Sequence, residues 1–253
     1  MKAYEHIIEH PTMLMTEDMK SERFRRRLRN LGIIIAVLAV WNGVCDYIYG
    51  YSPELNGLAY FSARVFRVVQ TAGGRPHWML MLAQTAAWLY PIYALSYYHW
   101  WTGMRRAGFW LGWVPPMLLA YAVLMIGGIQ HAGWAFLSVL EQAKAVVGSG
   151  DPKFFAQANN FIVQHFFMGD LSALIALYVG TVWHGVSILS GKTAYPRWFV
   201  LVSPLGMLSF TMLIGAVSPA PVAGFILALF GTWFLLFPTI ASVIWLWRNP
   251  DRM

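Results

Sequence analysis

Apolar stretches long enough to cross a lipid bilayer recur along the chain, and they constrain the fold more than any other feature. A helix of about 20 mostly apolar residues spans the hydrocarbon core. Such stretches lie at about 31–50, 78–99, 108–131, 165–189, 198–217 and 222–247. Because lipid offers no partners for backbone N–H and C=O groups, each stretch must satisfy them internally. We therefore predict an all-α integral membrane bundle of six transmembrane helices.

The distribution of Lys and Arg predicts how these helices are oriented. Of the 18 basic residues, 13 fall on one side of a six-span arrangement, and 7 of those precede the first span. Cytoplasmic segments carry the excess of Lys and Arg. We predict a multi-pass protein of the cell membrane, the inner membrane in a bacterium. Residues 1–30 form a basic cytoplasmic segment, 31–248 the transmembrane domain and 249–253 a cytoplasmic tail.

The net charge of +7 accompanies only 11% charged residues, and the basic side chains flank apolar stretches. This pattern favours contact with membrane lipids and excludes a nucleic-acid surface, which needs a basic stripe interleaved with exposed aromatic rings. Two outer connections have their own helical patterns: 57–71 has the spacing of an amphipathic helix in the interface, and 133–147 is predicted to extend the third helix above the membrane. We expect them to cover an outward-facing cavity or to lie on the headgroups. Nothing in the sequence indicates the oligomeric state.

Polar side chains that fall inside the spans are the candidates for function, since an ionisable group at membrane depth is costly. In the six-span orientation most of them share the outer half of the bundle: Asn42, Asp46, Gln84, Gln130, His131, Gln164, His165 and Asp170. By the same reasoning His99 and His184 lie at the inner interface, and polar groups become sparse in the inner half.

Carboxyl groups beside histidines are typical of general acid–base chemistry. We expect Asp46 to act as the general acid and Asp170, with His165 or His131, as the base or its orienting partner. The polar residues Asn42, Gln84, Gln130 and Gln164 would contact substrate, and the aromatic rings of Trp41, Trp88 and Tyr93 would line the cavity. The alternative is that these groups simply pair between helices or lie at the interface.

Other chemistries have weaker support in the sequence. A set of two histidines and a carboxylate, His131, His165 and Asp170, is compatible with a metal, but no two histidines are spaced i, i+4 on one helix. We therefore predict no metal and no cofactor. There is a single cysteine, no Gly-x-Ser-x-Gly motif and no phosphate-binding glycine loop. The remaining possibilities are acid–base chemistry on a lipid-soluble molecule and no chemistry at all.

Two stretches together resemble a bacterial family of multi-pass membrane proteins with no assigned function. They are His131-Ala-Gly-Trp-Ala-Phe136 and Thr193-Ala-Tyr-Pro-Arg-Trp198, accompanied by the aspartate of the first span. The resemblance implies a shared six-helix fold and does not indicate a reaction. It also implies that the second stretch is a cytoplasmic loop, in which Pro196 and Arg197 begin a helix.

A shorter stretch, Trp41-Asn-Gly-Val-Cys-Asp46-Tyr-Ile-Tyr-Gly50, resembles the membrane-embedded terpene cyclases of meroterpenoid pathways. Those enzymes protonate an alkene or epoxide with an acidic side chain, and aromatic faces stabilise the carbocation. The resemblance implies that Asp46 is the acid, with Asn42 beside it. The match departs from that family in having Asp where Glu is usual and in lying in the first span.

These observations predict a metal-independent membrane enzyme that isomerises, cyclises or hydrates an isoprenoid or steroid-like lipid, an isomerase or lyase by reaction type. One alternative is a transporter or binding protein for a small lipophilic molecule or a proton. It requires polar residues that continue through the inner half of the bundle. The other is a membrane scaffold without a catalytic site, in which buried polar residues pair off and leave no cavity.

Overall fold

A computed structural model describes residues 22–51, 76–131, 136, 139–140, 142–143 and 152–253. Within its helices, the description omits the side chains of residues 49, 50, 130, 152, 155, 159, 162–163, 165–170 and 230. The predicted surface helix at 57–71 and most of the predicted 133–147 extension lie outside the described residues. All regular structure in the described part is helical, in agreement with the predicted all-α class.

The α-helices run in chain order as α1 (Glu22–Gly50), α2 (His77–Tyr93), α3 (Leu95–Met104), α4 (Val114–Met125), α5 (Pro152–Leu189), α6 (Pro204–Val217), α7 (Ala220–Ala228) and α8 (Phe230–Arg248). Two π-helical turns, Phe109–Trp113 and Ile126–Gln130, flank α4, and a 3₁₀ helix at Arg197–Val202 precedes α6. One end of the bundle holds Arg23–Arg29, Arg105, Arg197 and Arg248, and we call it the basic end. The opposite end is called the far end.

Several predicted spans are interrupted. The second is divided at Ala94, three residues after Pro91, which removes one backbone donor from α2. The sixth consists of α7 and α8, which meet at an angle of 63°. The fifth begins as a helix at Pro204, several residues later than predicted, and α6 is only 14 residues long. The fourth begins earlier than predicted, at Pro152.

By length and composition, three helical segments are able to cross a membrane: Glu22–Ile48, Phe109–Ile129 and Leu171–Leu189. The bent pair α7 and α8 adds a fourth if it forms one span. Apolar side chains cover the outer faces of the bundle, and Val37, Trp88, Leu201 and Val217 are each more than half exposed. Extensive apolar exposure of this kind is typical of a surface that faces lipid.

The helices approach closely where small side chains lie between them. Helix α1 packs against α2 and α8, and α4 packs against α5. Ala39, Ala83, Ala86 and Ala122 are fully buried at these contacts. Small residues are favoured between membrane helices because they let backbones come together and maximise van der Waals contact. This packing brings the polar face of α1 into the centre of the bundle.

The connection between α5 and α6 folds under the basic end of the bundle. The amide of Ala194 donates to the carbonyl of Gly103 at 2.7 Å, and the Trp245 indole donates to the Ala194 carbonyl at 2.9 Å. The Tyr195 ring lies so close to Gly103 that a methyl group there would come within 2.2 Å of Cζ. The connection thereby inserts Tyr195, which is 2% exposed, among α3 and α8.

Candidate functional site

Asp46 and His131 form a buried acid–base pair in the far half of the bundle. His131 Nε2 lies 3.1 Å from Asp46 Oδ1, and the Asn42 amide donates to Asp46 Oδ2 at 2.9 Å. All three residues are at most 3% exposed. Asn42 and Asp46 are four residues apart on α1, so they share one face. His131 comes from the turn that follows α4, which makes the contact an interhelical one.

A π-helical turn at Ile126–Gln130 delivers His131 to this site. Such turns insert an extra residue into a helix and are frequent at functional sites. The imidazole lies 4.8 Å from the Tyr90 ring, centroid to centroid. Tyr90 fits because residue 127 is a glycine: a Cβ there would lie 1.8 Å from Tyr90 Cγ. The turn and its glycine therefore set the position of the histidine.

The start of α8 closes the other side of the pair. A Cβ on Gly231 would lie 3.3 Å from Asp46 Oδ2, so the first turn of α8 lies directly against the carboxylate. Helix N-termini carry partial positive charge and stabilise anions. The next residue, Thr232, donates to the carbonyl of Ala39 at 3.3 Å and so ties this turn to α1. The bend between α7 and α8 thus places a helix start at the site.

The chemistry available to this arrangement is proton transfer. A lone buried ion would be expensive, but the pair can share one proton between Oδ1 and Nε2 and stay neutral in sum. Asn42 holds the second carboxylate oxygen and fixes its orientation. Its own Oδ1 is buried and has no hydrogen-bond partner within the described residues. That oxygen is a free acceptor directly beside the pair.

The other predicted site residues do not all lie beside the Asp46–His131 pair. The Trp41 indole donates to Thr85 at 2.8 Å, and the Tyr93 hydroxyl donates to the Leu38 carbonyl, one turn from Asn42. Gln84 is half-buried and Gln164 is exposed. Trp88 is 76% exposed on the outer surface, so its proposed place in the cavity is wrong. The side chains of Gln130, His165 and Asp170 lie outside the description.

The structure groups Tyr93, which was predicted, with three further buried aromatic rings. This aromatic row consists of Tyr90, Tyr93, Tyr97 and Trp100, which belong to one buried cluster and extend from the pair toward the basic end. Tyr90 and Tyr93 lie 5.2 Å apart, and Tyr97 and Trp100 lie 4.9 Å apart, by ring centroids. Their numbering follows a spacing of three and four residues, which is typical of one helix face, and it continues across the division at Ala94 from α2 into α3. That periodicity was the available signal, hidden by the generally apolar background.

The aromatic row ends at His184 of α5, whose ring centroid lies 5.5 Å from that of Trp100. His184 is 1% exposed and His99 is fully buried. Both histidines therefore lie inside the bundle and are not exposed at its surface. The expectation that polar groups become sparse in the inner half is wrong. Buried polar residues there include Ser96, His99, Thr102, Thr181, His184, Ser187, Thr239 and Ser242.

Several of these inner polar atoms have no protein partner. Within the described part of the chain, both ring nitrogens of His184, the Tyr97 hydroxyl, the Trp100 indole and the Thr181 hydroxyl lack a hydrogen bond. Buried polar atoms are satisfied in the great majority of cases, by protein or by ordered water. Their clustering along one route marks a place for water or another polar species.

Among the described residues, no group of three or more His, Cys, Asp and Glu side chains could hold a metal ion.

The first resemblance noted in the sequence rests partly on residues 132–135, which lie outside the description. The stretch Thr193–Trp198 is described and forms the turn and the start of the 3₁₀ helix that carry Tyr195 inward. No protein-family model, no curated protein and no solved structure matches the chain.

Proposed function

We propose that this chain is a six-span membrane protein with both termini in the cytoplasm, and that it translocates protons. The Asp46–His131 pair takes up a proton from the outer side. The proton then passes along the aromatic row to His184, close to the basic end. This is the transport alternative among our sequence-based hypotheses. The basic end corresponds to the cytoplasmic side predicted from the Lys and Arg distribution.

One observation carries the proposal: the bundle holds a buried acid–base pair, and nearer the basic end it holds buried polar atoms of Tyr97, Trp100 and His184 that have no partner among the described residues. From Tyr90 to Trp100 the chain advances ten residues, about 15 Å at helical rise. That distance is about half the hydrocarbon thickness of a bilayer. Water molecules bonded to the unpaired atoms would complete a hydrogen-bonded route over this length. Asp46 and His131 supply the group that accepts and releases the proton.

The scaffold alternative is less well supported by the same atoms. A bundle that used polar residues only for assembly would pair them between helices, as Asp46 and His131 are paired. The inner atoms of Tyr97, Trp100 and His184 have no such partner in the described residues. Leaving a buried donor or acceptor unsatisfied costs about 1–3 kcal/mol each. An arrangement that retains several of them requires another reason than assembly.

Proton flux into proteoliposomes tests the proposal. Purified protein is reconstituted with a pH-sensitive dye inside the vesicles, and a potassium gradient with valinomycin supplies the driving potential. We expect acidification with the wild-type protein, and only the leak of protein-free vesicles with Asp46→Asn. Asp251→Asn is the matched control, because it removes an exposed carboxylate near the C-terminus. Equal flux in wild type and Asp46→Asn would refute the role of the pair.

A second candidate function, the acid–base enzyme, is favoured by Asn42 Oδ1. This unpaired acceptor lies beside Asp46, where it could hold a substrate hydroxyl during proton transfer. Incubation of the protein with isoprenoid and steroid lipids, followed by mass spectrometry, tests this candidate. A product formed by the wild type and absent with Asp46→Asn, without proton flux in either, would favour the enzyme over the translocator. If no product forms, the enzyme candidate is excluded.

A further inference from the structure

A short turn at the basic end follows α3 and holds two arginines side by side. Arg105 and Arg106 begin a 3₁₀ turn, which Gly108 ends with a φ of 82°. The π-helical turn at Phe109–Trp113 then packs back against α3, because a Cβ on Gly112 would lie 2.6 Å from the last carbonyl oxygen of that helix. This close packing fixes where the side chains of the turn stand.

The positive charge of this turn has no acidic partner in the described part of the chain. Neither Arg105 nor Arg106 forms an ion pair with a described residue. The Nε atom of Arg105 is buried and has no hydrogen-bond partner there. Partial burial, and then the neighbouring charge of Arg106, lower the pKa of Arg105. Two like charges that are held together in this way are stabilised by a nearby anion.

Aromatic rings line the face of α3 that leads to the arginines. Tyr98 and Trp101 are three residues apart, and Arg105 follows four residues later with helical backbone angles, so the three share one helix face.

The ring centroids of Tyr98 and Trp101 lie 5.5 Å apart, and the Trp113 ring of the π-helical turn lies 4.6 Å from that of Trp101. Tyr98 and Trp113 are exposed at the surface of the bundle. From Tyr98 to Arg105 the helix rises about 10 Å. The result is an aromatic surface with positive charge at its end. We call it the Arg105 face, and it consists of Tyr98, Trp101, Arg105, Arg106 and Trp113.

We infer that the Arg105 face binds an anionic phospholipid of the cytoplasmic leaflet. Arginine side chains donate hydrogen bonds that match phosphate oxygens. Tyrosine and tryptophan rings are favoured at the level of the lipid headgroups, where they contact both the headgroup and the first part of the acyl chains. A free anion would match the arginines and leave the rings uncovered, whereas a lipid matches both. The inference rests on the proposed position of the basic end at the cytoplasmic face, and it does not depend on proton translocation.

Two charge-matched double variants test the inference. Arg105→Gln with Arg106→Gln removes both cations of the Arg105 face, and Arg23→Gln with Arg27→Gln removes two exposed cations of α1. The full-length protein in neutral detergent is titrated with phosphatidylglycerol in mixed micelles at constant ionic strength. The rise in Tm that a bound ligand produces gives the half-saturating mole fraction of lipid. Phosphatidylcholine, which has no net charge, is the comparison lipid.

We expect phosphatidylglycerol to raise the Tm of the wild type in a saturable way, and phosphatidylcholine to have no such effect. The half-saturating mole fraction should increase at least about tenfold in Arg105→Gln with Arg106→Gln and less than about twofold in the control. Trp113→Leu should increase it by a smaller factor than the arginine variant. Trp198→Leu, which changes an exposed ring elsewhere at the basic end, should leave it unchanged.

Equal stabilisation by the two lipids, or equal effects of the two double variants, would overturn the inference. Inorganic phosphate that stabilised the wild type as well as phosphatidylglycerol does, at equal phosphate concentration, would also overturn it, because the site would then bind an anion and not a lipid. Lipid binding is measured without proton flux, so the two proposals fail separately. A protein that binds phosphatidylglycerol as expected but shows no flux supports this inference and refutes the translocator.

Discussion

The two polar regions of the bundle are buried to the same degree but differ in how they are satisfied. In the far half, Asp46, Asn42 and His131 bond to one another across two helices. In the basic half, the polar side-chain atoms of Tyr97, Trp100 and His184 are equally buried and have no partners in the described residues. Burial by itself therefore does not show whether a polar group has a partner. His131 and His184 differ in this respect, and substitutions at these two residues should have opposite effects on stability.

The largest expected effect comes from breaking the pair. His131→Leu leaves the Asp46 carboxylate buried without its partner, which we expect to lower the free energy of unfolding by about 3–5 kcal/mol. Replacing both residues by leucine should cost much less, because no charge is then left alone. Chemical denaturation in detergent micelles measures both variants. A double variant as unstable as the sum of the two single variants would show that the pair is not a coupled unit.

A smaller effect should follow from crowding the histidine without changing its chemistry. Gly127→Ala places a Cβ 1.8 Å from Tyr90 Cγ and must displace the ring that packs on His131. We expect a loss of about 1–3 kcal/mol, as for other overpacked sites. Gly128→Ala is the control, since a Cβ there meets nothing within 4 Å. Equal thermal stability of the two variants would contradict the packing of Tyr90 described here.

In the basic half, the effect of a substitution on stability should have the opposite sign. His184→Leu removes two buried ring nitrogens that have no partner in the described part of the chain, so we expect unchanged stability or a gain of about 1 kcal/mol. The same variant should lose proton flux in proteoliposomes, because it interrupts the route. Thermal unfolding and flux are measured on one preparation. A marked loss of stability would mean that His184 has a structural role like that of His131.

The smallest effect is expected at Trp88, which does not lie in the predicted cavity. Trp88→Ala changes a side chain that is 76% exposed on the outer face. We expect a change in unfolding free energy within about 0.5 kcal/mol in detergent, and unaltered proton flux. The comparison residue is Trp100, which is 1% exposed and belongs to the aromatic row. If Trp88→Ala abolished flux while Trp100→Leu did not, the row would have been placed on the wrong face of the helix.

Local spacing was sufficient to predict one part of the site. Asn42 and Asp46 lie four residues apart in an uninterrupted helix, so their shared face follows from helical geometry. Apolar length likewise predicted an all-helical fold with helices long enough to cross a membrane, of which the described part has three. The prediction of His131 as a candidate rested on depth along the helix, which needs only the order and direction of the spans. Its contact with Asp46 could not be derived, because it depends on a π-helical turn.

The inner region could not be predicted for a different physical reason. Hydropathy places His99 and His184 near span ends, where a straight helix would expose them to the interface. In the structure the connection 190–203 folds back under the bundle and covers these ends, with Tyr195 reaching Ser242. The prediction that Trp88 lines the cavity was wrong because its helix presents this side chain outward. Periodicity in a uniformly apolar segment does not reveal which face is buried.

Cys45 provides a built-in chemical reporter for water entering the bundle at the level of the acid–base pair. It is the single cysteine of the chain, it is fully buried and it is the immediate neighbour of Asp46. A maleimide reagent in water can reach its thiol only when helices α1 and α2 separate at the level of the acid–base pair. The labelling rate of the unmodified protein, followed while a proton gradient is imposed, would therefore measure how often that level becomes wet.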